Sequence, residues 1–222
     1  MPASTPASAP GGQSTVRATA AAVAGTVFEW FDFFLYGSLA VVFGRLFFPP
    51  GHETAGLLAA LAVFGAGWVV RPLGALVFGR IGDRVGRRRA FLITIVLMGF
   101  STVAIGLLPT YAQVGLLAPA LLVTLRLLQG LAVGGEFGGA ATYVAEHSAP
   151  HRRGLNTSLV MGTGTIGLLL ALLAIAVTRG VLGEQAFEQW GWRLPFLASV
   201  LLLALSVYMR LHLAESPAFE KL

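Results

Sequence analysis

Two carboxylates three residues apart, Glu29 and Asp32, stand inside the aromatic and aliphatic stretch FEWFDFFLYG at 28–37. Residues at i and i+3 share a helix face, so both acids point one way. An acid among apolar side chains has two uses. It can neutralise a buried cation and lock two helices together, or it can take up and release a proton, because burial tunes its protonation. Arg71 and Arg126 are candidate partners in other apolar runs. The planar guanidinium fork suits a carboxylate, whether it belongs to the protein or to a solute. For Arg71 there is a plainer alternative, a side chain that snorkels toward the membrane surface.

These residues belong to a chain of 222 residues, 56% hydrophobic and 11% charged, with mean hydropathy +0.78. Soluble domains carry about a quarter charged residues, so the composition is that of an integral membrane protein. The net charge of +5 is spread in short clusters between apolar runs, which is a topology signal rather than a nucleic-acid surface. No cysteine is present, so disulfides and thiolate metal sites are excluded. The opening residues hold Pro, Ala, Ser, Thr and Gly without a charge, and residues 1–20 are expected to be a disordered cytoplasmic tail.

Six runs approach the roughly 20 apolar residues that a spanning helix needs: 21–48, 55–79, 90–108, 115–144, 154–178 and 193–213. Barrel strands would be half as long and would alternate. The expectation is all-α, a six-helix transmembrane bundle over 21–213, with 214–222 opening a cytoplasmic segment. Arg80, Arg84, Arg87, Arg88 and Arg89 crowd the connection between spans two and three, and Arg152 and Arg153 that between four and five. Arg17, Arg210 and Lys221 fall on the same side, which puts both chain ends in the cytoplasm. At about 1.5 Å per residue, Asp32 and Arg126 both lie roughly 16 Å from their ends of the bilayer, near its midplane. Glu29 and Arg71 both lie about 12 Å from the cytoplasmic edge. Level-matched pairs Asp32–Arg126 and Glu29–Arg71 follow.

Between spans two and three, GRIGDRVGRRRA at 79–90 combines glycines with charge. Gly82 and Gly86 are suited to a tight turn, and Asp83 to capping the next helix or pairing with an arginine. Span four contains RLLQGLAVGGEFGGA, in which Gly130 and Gly134, then Gly135 and Gly139, permit close helix approach. With Arg126, the polar residues Gln129 and Glu136 of this span and Tyr36 of span one complete a candidate solute site.

These stretches, with AEHSAPHRRG and WGWRLPF, resemble the N-terminal six-helix half of a major facilitator superfamily transporter over residues 20–222. More narrowly, they resemble the metabolite:proton symporters that take up proline, betaine, α-ketoglutarate, citrate, dicarboxylates or shikimate. The resemblance implies proton-coupled solute uptake by alternating access across the cell membrane. Asp32 and Glu29 would handle the proton, and Arg126, Arg71, Gln129, Tyr36 and Glu136 the solute. Gly79, Asp83, Arg84, Gly86, Arg87 and Arg88 would form a cytoplasmic gate. A further six-helix half is expected as partner. A non-transporting membrane module and an efflux carrier of the same fold are the alternatives.

Other matches carry less. GTGTIG at 162–167 fits a dinucleotide fingerprint, but it lies within an apolar span, where glycines serve helix packing. His147 and His151 are four apart, with Pro150 between them and no third ligand evident. Asn156 fits a glycosylation sequon on the expected cytoplasmic side. No hydrolase constellation is visible, and neither enzyme activity, a metal nor a cofactor is expected.

Overall fold

The computed structural model describes residues 12–211, apart from the side chains of 12–18, 87, 88, 137, 138, 143, 146 and 147. The helices begin with α1 (Gly12–Ser38) and α2 (Ala40–Phe47), followed by α3 (Glu53–Val69) and α4 (Arg71–Val85). Then come α5 (Arg87–Leu107), the short α6 (Tyr111–Val114), α7 (Leu117–Gly134) and α8 (Phe137–His147). A 3-10 turn (Pro150–Arg152) leads into α9 (Arg153–Leu182). The short α10 (Glu184–Ala186) and a π-turn (Phe187–Gly191) precede α11 (Arg193–Leu211). Among the described residues, five helical stretches are long and apolar enough to cross a membrane, and six if the bent pair α1–α2 counts as one span.

The first span differs from expectation at both ends. Its helix starts at Gly12 rather than near 21, so residues 12–20 are helical where a disordered tail was expected. The alanine-rich run ATAAA at 18–22 has high helix propensity, and no proline after Pro10 interrupts it before Pro49. Residues 1–11, the rest of that tail, lie outside the described residues, as do 214–222. At its other end the span bends by 62° between α1 and α2. The bend falls at Gly37–Ser38, a pair that commonly kinks helices, and the Leu39 N–H donates to Tyr36 O (3.0 Å), one residue short of the α-helical partner. It lets α2 lean on α3, where a Cβ on Gly44 would lie 2.8 Å from the Gly56 carbonyl carbon.

Spans two and four are also interrupted. Pro72 lacks an N–H and sits at the start of α4, so the helix breaks at Val70. The span then continues to Val85, beyond the expected end at 79. Asp83 and Arg84 therefore ride on the last helical turn instead of in a loop. Of the two glycines assigned to the turn, Gly86 alone makes it, with φ 99°, whereas Gly82 is helical and buried. Gly86 also occupies the cap position of α5, so no side chain of the cap residue bonds that helix end. Span four breaks between α7 and α8, where Gly135 and Glu136 donate to Ala132 O and Val133 O in tightened turns.

Packing follows the small residues. Span one packs on α9, where a Cβ on Gly167 would lie 2.5 Å from the Cβ of Trp30. Span two packs on α7, and α5 packs on α11. Exchanging spans one, two and three with four, five and six maps this scheme onto itself. That is the signature of two three-helix repeats, although the residues show no echo of it.

Candidate functional site

The α3–α4 and α7 backbones meet almost without side chains between them. A Cβ on Gly130 would fall on the Gly67 carbonyl, one on Gly134 on the Arg71 carbonyl, and one on Gly74 on the Leu131 carbonyl. This approach brings Arg71 and Arg126 to a small cavity that Glu29 and Asp32 of α1 also line. The cavity holds about 20 Å³, room for about one water. Glu29, Asp32, Arg71, Arg126 and Gln129 line it, together with the rings of Phe33, Phe64 and Trp68.

Asp32 is 4% exposed and fully engaged. Arg126 donates to its Oδ2 (3.0 Å), and Gln129 Nε2 (2.8 Å) and Thr102 Oγ1 (2.9 Å) approach Oδ1 at donor distances. Arg126 is itself held: Nη1 donates to Gln129 Oε1 (2.7 Å), and the guanidinium carbon stands 4.1 Å from the centroid of the Tyr36 ring. Tyr36 is buried and donates its hydroxyl to Ala60 O (3.2 Å), which fixes the ring. A buried charge is tolerable only when paired and hydrogen-bonded, and this pair is both.

The second pair is looser. Arg71 Nη1 lies 3.7 Å from Glu29 Oε1, and the guanidinium carbon sits 3.9 Å from the Trp68 ring centroid. Glu29 is 2% exposed, yet its Oε2 has no hydrogen-bond partner. The two level-matched pairs expected from depth are thus the two pairs found.

Glu136 is elsewhere. It does not line this cavity; at the α7–α8 break it pairs with Arg210 of α11. Arg210, one of the basic residues expected on the side of the chain ends, is only 2% exposed. It also donates to Phe91 O (3.0 Å). Helix α11 remains helical through Leu211, so Arg210 stays inside the packed bundle. Thr102 was missed as well. It lies about twelve residues, or 18 Å, into span three, and the same depth arithmetic would have placed it beside Asp32.

The residues expected to form a gate make up a separate group. Gly79, Gly82 and Asp83 border a second cavity of about 230 Å³ with Phe78, Phe91 and Gly135. Arg84 is exposed, and Gly79 has open space where a Cβ would stand. The side chains of Arg87 and Arg88 lie outside the described residues. Of the set-aside motifs, Gly167 of GTGTIG packs on Trp30, and Asn156 donates to Ser148 Oγ (2.9 Å).

Long apolar helices packed around buried arginine–carboxylate pairs define a multi-pass membrane protein of the transporter class. The chain belongs to the family described as Sugar (and other) transporter, within the major facilitator superfamily, which matches residues 17–220. It is 45% identical over 202 residues to the inner membrane metabolite transport protein YhjE of Escherichia coli, covering 90% of this chain and 46% of that protein. It is 41% identical over 205 residues to the proline/betaine transporter of Salmonella typhimurium, covering 92% of this chain and 41% of that one. Among solved structures it resembles the proton:xylose symporter XylE of E. coli, with TM-score 0.82, 19% identity, and coverage of 94% of this chain and 46% of that one. The chain spans about half the length of the curated relatives it matches.

Proposed function

We propose that this chain is the N-terminal half of a proton-coupled carrier that imports a small polar or carboxylate-bearing solute by alternating access. The observation that carries the reading is the buried Asp32–Arg126 pair beside a cavity that also reaches Arg71 and Glu29. Arg126 has one carboxylate to satisfy, and Asp32 supplies it. When Asp32 takes a proton, that claim on the guanidinium weakens, and a solute carboxylate can replace it. Proton and solute then bind together because each makes room for the other. Glu29 and Arg71 repeat the arrangement with a longer separation. Gln129 and Tyr36 hold Arg126 in place.

The relative named for proline and betaine handles zwitterions with a carboxylate, which suits this arginine set. The clustering of Arg80, Arg84 and Arg89 at the α4–α5 turn supports a cytoplasmic position for that end and for both chain ends. Asp83, Arg84 and the cavity beside them suit a gate that meets the second half of the carrier, with Gly79, Gly86, Arg87 and Arg88 from the same signature.

The test uses the full-length protein in vesicles, with radiolabelled proline, betaine and a panel of organic acids. Uptake of one of these should rise with an imposed inward proton gradient, and Asp32→Asn should abolish the rise. Gradient-driven uptake that is unchanged in Asp32→Asn would refute the role given to Asp32.

A further inference from the structure

Three buried acids among the described residues are arranged along one face of α1. Asp32 and Glu29 belong to that helix, three residues apart. One turn further, at Gly25, α1 offers no side chain, and the Glu136–Arg210 pair fills the gap. A Cβ on Gly25 would lie 2.7 Å from Glu136 Oε1 and would overlap the end of Arg210. Glu136 therefore stands level with position 25, about 6 Å beyond Glu29 along the helix axis, toward the end that carries Asp83 and Arg84.

Glu29 and Glu136 are alike in a second respect. Each keeps Oε1 toward an arginine, Arg71 or Arg210, and each leaves Oε2 buried without a hydrogen-bond partner. A buried carboxylate oxygen with no donor is expensive to leave unpaired, so each Oε2 is a place where a proton can be held. Gly25 lies one turn from Glu29 on the same face of α1 and Glu136 fills the space beside it, so the two glutamates are neighbours along that face. Arg210 is the described cation paired with Glu136, and α5 contributes the Phe91 carbonyl and ring around it.

We infer that Glu136 is a second proton-binding station, joined to Glu29 across the side-chain gap at Gly25, with Arg210 as its counter-ion. This rests on the proton-coupled reading above and extends it with a route. An O–H bond on Glu29 breaks while one forms on Glu136 Oε2, directly or through one water. The Glu29 carboxylate left behind is held by Arg71, and Glu136 releases the proton, when the bundle opens, to water in the cavity that its chain neighbour Gly135 and Asp83 border. No electron moves, and the arginines stay charged.

The test is infrared spectroscopy of the full-length protein in lipid, titrated with pH, reading the carboxylic-acid stretch of buried glutamates. Two such bands are expected, one lost in Glu29→Gln and the other in Glu136→Gln. The Glu136→Asp variant keeps the charge and should shift the second band rather than remove it, which covers a failure of the glutamine variant to fold. A spectrum that neither Glu136 variant alters would show a permanently ionised structural pair and overturn the inference. Uptake by Asp32→Asn is read separately, so a failure of the central carrier reading is distinguishable from a failure of this one.

Discussion

Arg126 binds Asp32 with one guanidinium nitrogen at 3.0 Å while its guanidinium carbon lies 4.1 Å from the Tyr36 ring centroid. The same nitrogen also reaches Gln129 Oε1 at 2.7 Å. One cation thus joins α1 to α7 through a charge, an amide and an aromatic face. Lysine offers a point charge without the planar fork or the stacking surface. Arg126→Lys should therefore lower uptake by about tenfold or more, since charge-assisted hydrogen bonds contribute about 1.5–3 kcal/mol. Initial-rate uptake at several solute concentrations, normalised to protein in the membrane, checks it; wild-type rates would show that charge alone suffices.

Thr102 and Gln129 both converge on Asp32 Oδ1, at 2.9 and 2.8 Å. Removing one leaves a buried carboxylate oxygen with a single partner in place of two. Thr102→Val and Gln129→Leu are each expected to destabilise the protein by about 1–3 kcal/mol. Because Gln129 also lies at donor distance from Thr102 Oγ1 (2.9 Å), the double variant should lose less than the sum of the two. Unfolding followed in detergent, for both single variants and the double, measures the coupling.

Gly130 and Gly134 set how closely α7 approaches the carbonyls of Gly67 and Arg71. Valine at either position would force the backbones apart and carry Arg71 away from Glu29. Destabilisation by about 3 kcal/mol or more is expected, with loss of uptake. Gly162→Ala is the contrast. No heavy atom lies within 4 Å of where its Cβ would stand, and alanine in a helix is favoured by about 1 kcal/mol over glycine. A melt of that variant at or above the wild-type temperature is the expected outcome.

Much of this site could be read from residue types and positions along spanning helices. A charge in hydrocarbon must find a partner, and depth at a fixed rise per residue selects the partner, which is why Asp32–Arg126 and Glu29–Arg71 are legible in the sequence. The breaks were harder. Pro72 announces one, but the bend after Ser38 and the interruption at Gly135–Glu136 depend on which neighbours the freed segments meet. Arg210 is harder to read. The sequence places it only with the basic residues on the side of the chain ends, and the packing of α11 against α1 and α5 reveals that it is buried. A charge near a span end carries no label saying whether a partner waits one helix away.

Gly25 supplies the most local test of that buried pair. An alanine there adds one methyl group, which would stand 2.7 Å from Glu136 Oε1 and overlap Arg210. Both are nearly inaccessible to solvent, Glu136 at 0% and Arg210 at 2%, so neither can swing out into water to make room. The pair must loosen or α1 must shift away from α11. Separating a buried ion pair is strongly destabilising, by about 3–5 kcal/mol when a partner is lost outright, and a displaced pair should fall below that. Gly25→Ala is expected to lower stability by about 1–3 kcal/mol. Combining it with Glu136→Gln should add little, because the glutamine has already given up the charge that the methyl group disturbs. Thermal unfolding of the two single variants and the double decides it. Strict additivity would mean that the methyl group acts on helix packing alone and that the Glu136–Arg210 pair is indifferent to what stands at position 25.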